Sequence, residues 1–201
     1  MPALSESDAQ VLESLRRVAN SPLLSGLILS SEFVRHVVMT IDNLPRGKVA
    51  TRLLPVKPPR GQLIVTTDAA GDVSLSPANA RRYRSYVRLA QALETRTLIA
   101  HYVHFYPLFQ QAYEELGYPN QYFNDRVIEA IDDLLAAPEV DGEIDLTQPK
   151  VLYEFADVDL EELSAGQKIM IRMGPENAAA IKLKLREIRR ELTMEPPSLQ
   201  N

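Results

Sequence analysis

SPANARRYRSYVRLAQALETRTLIAHYVHFYPLFQQAYEELG, residues 76–117, is the stretch on which the fold turns. Along it Tyr86, Ala90, Leu93, Thr97, His101, Phe105, Leu108, Ala112 and Leu116 recur every three or four residues, the period of one helical face. Ser76 is placed to cap the start, and Pro77 supplies the first-turn φ without losing a hydrogen bond. The spacing predicts a long helical region with one continuous buried stripe, reaching Glu115 and closed by Gly117 in the C′ position. Pro107 removes one helical hydrogen bond and crowds the Val103 carbonyl, so a kink, or a new helix start near Tyr106, is expected.

Upstream, Val11, Leu12, Leu15 and Val18 mark a helix over Ser7–Val18, with Asp8 favourably placed in its first turn and Asn20, Ser21 and Pro22 as its stop. Phe33, Val34, Val37, Val38 and Ile41 predict a second helix, with Ser31 as N-cap and His36 off the stripe at the surface. Between Pro45 and Leu75 the chain turns to prolines, glycines and β-branched residues. QLIVTT and GDVSLS read as strands joined through DAAG in a hairpin.

Downstream, Phe123, Val127, Ile131 and Leu134 or Leu135 mark another helix that ends before Pro138. KVLYEFA alternates as a half-buried strand able to pair with QLIVTT, and DVDLEELSAGQKIMIRM is predicted helical up to Gly174-Pro175. The last helix turns Ile181, Leu185, Ile188 and Leu192 inward and leaves Lys182, Lys184, Arg186, Arg189 and Arg190 as a solvated side. The expected fold is mainly α with a minor β element (α+β): a single-domain bundle of about seven helices, one long and kinked, with a two- or three-stranded sheet. One domain spans 1–201, its core over residues 7–192 and a flexible tail over 193–201.

A chain of 201 residues buries roughly 70% of its unfolded surface and needs no covalent staples. The absence of cysteine excludes disulfides, thiolate nucleophiles and cysteine-ligated metal centres. No apolar run reaches the length of a membrane span, and MPALSESDAQ lacks the basic and apolar regions of a signal peptide. Net charge is −5 but unevenly spread: residues 46–96 carry ten Lys/Arg and three acids, whereas residues 114–162 carry fifteen acids against Arg126 and Lys150. Mutual compensation of the two stretches in the fold is the simpler reading, and an anionic partner for the basic one the alternative.

His101 and His104 are the first candidates for chemistry, about 4.5 Å apart along a helix axis and about 60° around it. A metal needs a third ligand, and Glu94 and Glu115 lie about 10 Å and about 16 Å away along the axis, so Asp125 or Asp132 would have to come from the next helix. His101 sits on the apolar stripe, which favours a hydrogen-bonded core or boundary residue, and HxxH lacks the glutamate of the HExxH helix. Tyrosines are the second candidates. Tyr102, Tyr106, Tyr113, Tyr118 and Tyr122 fall close together in sequence, near Tyr83 and Arg84 in ARRYRSYVR, and Tyr with Arg favours recognition surfaces. Tyrosines bridging core and solvent at helix kinks account for the same pattern. DGEID lacks the spacing of an EF-hand loop and SAGQK the glycines and length of a phosphate loop; the paired carboxylates of DVDLEE and IDD read first as helix N-terminal charge and a solvated face, and no nucleophile elbow or dinucleotide fingerprint occurs.

SPLLSGLILSSEFVRHVVMTIDNLPRG, HYVHFYPLFQQAYEELGYPNQYFNDRVIEAIDDLLAAP and GQKIMIRMGPENAAAIKLKLREI, taken as a set, resemble the bacterial domain of unknown function 3014 family over most of residues 10–192. The resemblance implies a proteobacterial envelope protein with a single N-terminal membrane span, absent from this sequence, a proline-rich linker and this domain facing the periplasm. The family carries no established activity, so it transfers no catalytic residue. The function expected is a non-enzymatic binding or scaffold module for a protein or glycan partner, without cofactor, resident metal or nucleic acid, drawing on Tyr83, Arg84, His101, Tyr102, His104, Tyr106, Tyr118 and Tyr122. The alternatives are a metal-dependent or acid–base enzyme centred on His101 and His104, and a self-associating structural protein.

Overall fold

A computed structural model describes residues 3–19, 22–47 and 53–194, and its architecture is mainly α with two small antiparallel sheets. A 3-10 turn, Leu4–Glu6, leads into α1 (Asp8–Ala19), which buries Val11, Leu12 and Leu15. The α1 helix ends at Ala19, where the stop was expected, and Pro22 begins α2 (Pro22–Leu27), because proline at a first helical position loses nothing. Asn20 and Ser21 lie outside the described residues. The α3 helix (Phe33–Asn43) buries Phe33, Val34 and Val38 as its stripe predicts. Its start differs from expectation: Ser31 does not cap it, Glu32 adopts a left-handed φ of 51°, and the Val34 amide donates to Asp8 Oδ1 of α1 at 3.4 Å. His36 is half-buried rather than at the surface, its Nδ1 shut away from water without a partner.

The predicted hairpin is β1 (Val65–Thr67) against β2 (Val73–Leu75), with Asp68 Oδ1 accepting the amides of Ala70 and Asp72 and Gly71 at a φ of 92° closing the turn. Ser76 Oγ accepts the Ala78 amide and opens a 3-10 turn, Pro77–Asn79, that runs into α4 (Ala80–Ala92). The long helical region is not continuous. It breaks at Leu93 and Glu94, both extended, because the Glu94 carboxylate takes the amides of Arg96 (3.0 Å) and Thr97 (2.6 Å) and starts α5 (Thr95–Glu115) afresh. The helix then passes through Pro107 without a new start. Phe105, Tyr106, Leu108 and Phe109 are buried on either side of the proline, and that packing holds the turn it weakens. Gly117, at a φ of 119°, ends the run as expected.

Next come α6 (Phe123–Leu135), β3 (Leu146–Thr147), β4 (Glu154–Phe155), α7 (Val158–Glu162), α8 (Ala165–Arg172) and α9 (Pro175–Met194). Among the described residues the helices number nine rather than about seven. The expected strand over KVLYEFA shrinks to β4 and pairs with β3, not with QLIVTT; the two sheets meet at a Ser74–Asp145 bridge and the Leu75 amide on the Ile144 carbonyl, and Val65, Val73 and Leu75 share an apolar cluster with Leu146 and Phe155. Val151 and Leu152 stand exposed. The helix predicted over DVDLEELSAGQKIMIRM is two, because Asp157 caps α7 and Ser164 caps α8.

At the centre, α5 packs against α1, α3, α6 and α9, and Phe105, Tyr106, Tyr113 and Phe123 are the largest side chains wholly removed from water. The basic side of α9 is only partly solvated. Lys182 is buried with Nζ on the Ala137 carbonyl (2.6 Å) past the end of α6, while Lys184 Nζ joins Leu93 O, Thr95 Oγ1 and Glu187. Thr193 and Met194, placed at the start of the expected tail, are the last residues of α9, and residues 195–201 lie outside the described residues. No helix among the described residues is long and apolar enough to cross a membrane.

Candidate functional site

The site grows from Asp42. It stands one turn past Val34 and Val38 on the stripe that α3 buries, and its carboxylate is 6% exposed. A buried carboxylate must be paired. Arg46, past the end of α3, brings Nη2 to 3.0 Å from Oδ2, and Arg126, in the first turns of α6, brings Nε to 3.1 Å from Oδ1. The Arg126 N–H is not directed at that oxygen, so this contact is coulombic, while its Nη2 donates to the Asp42 carbonyl and its Nη1 pairs with Glu129 at 2.6 Å. Arg46 Nη2 also donates to the Tyr118 hydroxyl at 2.6 Å, and that bond first, then Asp42, holds its guanidinium above its ordinary pKa.

A second buried group fixes the turn between α5 and α6. Gln110 Oε1 accepts the Phe123 amide (2.8 Å) and the Tyr106 hydroxyl (3.0 Å), and Nε2 donates to the Gln121 carbonyl and to Glu114 (both 2.9 Å), so every strong bonding direction of the amide is used. With the turn pinned, Tyr118 stacks on Tyr113, their ring centroids 4.6 Å apart. Burial pushes the Tyr113 phenol up, with Asp42 adding to it, and its hydroxyl donates to Gln121 Oε1. The result is a hollow of about 290 Å³, with Asp42, Arg126 and Tyr113 at its base and Tyr118, Tyr122, Asn120, Gln121, Asp125 and Glu129 around them. Tyr122 is 60% exposed and caps nothing. Such a hollow offers aromatic faces, amide and carboxylate acceptors and a guanidinium on a fixed base. It suits a neutral polar ligand that stacks and donates several hydrogen bonds.

The other sequence candidates are dispersed. Tyr106 is wholly buried and serves Gln110. Tyr83 is half-buried against Met170 and Met173 and lines a different hollow with Arg172, Val151 and Leu152, burial pushing its phenol up; Arg84 is exposed. Tyr102 packs edge-on against Tyr106, and burial pushes its unpartnered hydroxyl far up. His101 and His104 flank Phe105 at 4.9 and 4.6 Å between ring centroids rather than facing one another. His101 is a boundary residue, with Nδ1 2.8 Å from Ser14 Oγ and a place in the wall of an apolar cavity of about 220 Å³; burial first, then His104, lowers its pKa. Asp132 is committed to Arg189 (2.6 and 3.0 Å) and Asp125 lines the Tyr118 hollow, so neither joins the histidines. Among the described residues no three His, Asp or Glu side chains are placed to hold a metal ion.

Sequence reading missed Asp42, Arg46 and Arg126 as a group. The available signal was a carboxylate falling on the Val34–Val38 stripe with an arginine four residues on. The two charged stretches do not meet in direct ion pairs: among the described residues none joins a base of 46–96 to an acid of 114–162. The acids are met instead by Arg35, Arg126, Lys168 and Arg189.

No curated protein and no solved structure matches the chain. The family match runs over residues 33–189 and includes the whole Asp42–Tyr118–Arg126 hollow, and by it the chain belongs to the family described as "Protein of unknown function (DUF3014)".

Proposed function

We propose that the chain is a non-enzymatic recognition module of the bacterial cell envelope, facing the periplasm, and that it binds a glycan partner at the hollow between α3 and the α5–α6 turn. The observation that carries this reading is the convergence of exposed Tyr122 and stacked Tyr118 with Asn120, Gln121, Asp125 and Arg46 over a base already locked by Asp42 and Gln110. A sugar ring presents one apolar face and a rim of hydroxyls, and this lining answers both. Because base and turn are fixed before binding, little ordering cost opposes a ligand of modest contact area.

A glycan array followed by calorimetry with the best-bound oligosaccharide tests the reading. Tyr122→Ala, which removes an exposed ring without touching the base, is expected to weaken binding about tenfold while leaving the melting temperature unchanged. Absence of glycan binding, with capture of a protein through the same residues, would transfer the site to a protein partner. Indifference of any binding to Tyr122→Ala and Asn120→Ala would remove the hollow from the function. The envelope location is tested separately, by fractionating cells that express the full-length natural protein.

A further inference from the structure

A second hollow, of about 370 Å³, lies where the segment before β1 meets α4, and it has the opposite character. Three arginines line it: Arg60 from the segment, Arg81 and Arg82 from the first turn of α4. Among the described residues none of the three has a carboxylate within 4 Å. In a chain with 27 acids to 22 bases this is an uncompensated positive site, and keeping three guanidinium groups together without a counterion is unfavourable unless an anion joins them.

Arg82 is built in rather than loosely exposed. Nε donates to the Arg60 carbonyl (3.2 Å), Nη2 to the Gly61 carbonyl (2.8 Å) and Nη1 to Asn79 Oδ1 (3.1 Å). All three acceptors are neutral, so the cation is held in place with its charge intact and with two N–H bonds still to give. Asn79 is itself 1% exposed and locked, accepting the Ile64 amide and donating to the carbonyls of Ile64 and Ser76. Ser85, one turn along α4 from Arg81 and Arg82, adds a hydroxyl to the same wall. Leu27 and Ile64 supply an apolar side.

We propose that this hollow binds the phosphate group of a small amphiphilic ligand, the guanidinium groups of Arg60, Arg81 and Arg82 taking the phosphate oxygens and Leu27 and Ile64 the adjoining apolar part. Planar guanidinium forks match phosphate geometry in bidentate fashion. The net charge of −5 disfavours a long polyanion and leaves a single headgroup or a free phosphate compound as the ligand. This site is separate from the Tyr118 hollow and stands or falls independently of it.

The test uses the full chain and two probes at low ionic strength: inorganic pyrophosphate by calorimetry, and flotation with phosphatidylcholine vesicles with and without phosphatidic acid. Arg60→Gln with Arg81→Gln removes two exposed side chains that hold no structural bond, and it is expected to weaken the bound probe by about tenfold or more with no fall in melting temperature. Arg186→Gln with Arg190→Gln, an equal change of charge on α9, is expected to have no effect. Pyrophosphate binding lost in the double variant supports a soluble ligand. Flotation with phosphatidic acid alone, lost in the same variant, supports a lipid headgroup. Binding of neither probe, or an equal loss in the Arg186→Gln, Arg190→Gln control, overturns the proposal.

Discussion

Replacing Asp42 by alanine removes the carboxylate on which Arg46 and Arg126 converge, and the two arginines respond differently. Arg46 is 48% exposed and keeps the Tyr118 hydroxyl, so the loss of its pair costs at most about 0.5 kcal/mol. Arg126 is 13% exposed and cannot reach water freely. Breaking a buried pair from one side costs about 3–5 kcal/mol, and because the Asp42 carbonyl and Glu129 remain as partners the lower end applies. Alanine inside α3 returns roughly 0.5 kcal/mol of helix propensity. The net expectation is a loss of about 2–3 kcal/mol, equivalent to a fall of about 5–10 °C in melting temperature for a domain of this size.

Thermal and urea melts of Asp42→Ala, Arg126→Met and the double variant separate this from a simple cavity effect. The pair is expected to couple by about 1–3 kcal/mol, the double variant being more stable than the sum of the single losses predicts. The base of the hollow should soften too, since Arg46 loses one of its three anchors and keeps only the Asp42 carbonyl and the Tyr118 hydroxyl. An Asp42→Ala protein melting within about 1 °C of the parent, or a coupling below about 0.3 kcal/mol, would refute the view that this buried ion cluster holds α3 against α6.

Gly166→Ala improves α8 as an isolated helix, yet the new Cβ would stand 2.7 Å from Leu134 Cδ2 and 3.1 Å from the Leu44 carbonyl, which the Gly166 amide bonds at 2.9 Å. Leu134 can swing aside but the backbone cannot, and a net loss of about 1–2 kcal/mol in urea unfolding is expected. His101 has a pKa lowered by burial and then by His104, so the unfolded chain takes the proton first; stability is whole above about pH 6.5 and falls as the pH drops toward the folded value. Unfolding curves between pH 7.5 and 5 should show that slope flattened in His101→Gln. Glu94 is held below its ordinary pKa by the Thr97 hydroxyl and amide and then the Arg96 amide. Its contribution is present above the unfolded carboxyl pKa and is lost as the pH falls through the folded one, which acid titration of the Thr97 amide resonance in parent and Glu94→Gln checks.

Apolar stripes made much of this fold readable, because a periodic face tells which side of a helix is buried whatever lies opposite. That is why α3, α6 and α9 appear where Phe33–Ile41, Phe123–Leu135 and Ile181–Leu192 place them. The same signal is blind to breaks. The Tyr86–Leu116 stripe keeps its spacing straight across Leu93 and Glu94, where a carboxylate's choice of two amides ends one helix and begins another. It is equally blind to what a polar residue meets. Lys182 neighbours Ile181 on a face that reads as solvated, and only the Ala137 carbonyl, 45 residues away, takes it inside.

The candidate sites divide along the same line. Tyr118 and Tyr122 announce themselves by composition, but Asp42 and Arg126 stand 84 residues apart and become one feature only when α3 meets α6. Charge behaves likewise. The basic and acidic stretches look like two halves of one neutralised surface, yet Arg46 spends its charge within its own helix end and Arg82 bonds only neutral acceptors. An uncompensated basic hollow and an aromatic one whose acids and bases nearly balance, on the same small chain, fit two separate contacts better than a single interface, for a common partner would have to satisfy a phosphate clamp and a stacking rim at once. Binding at either hollow should therefore leave the affinity of the other unchanged. Titrating pyrophosphate into the glycan-saturated protein measures this, and a shift of affinity beyond about threefold would make the two contacts parts of one site.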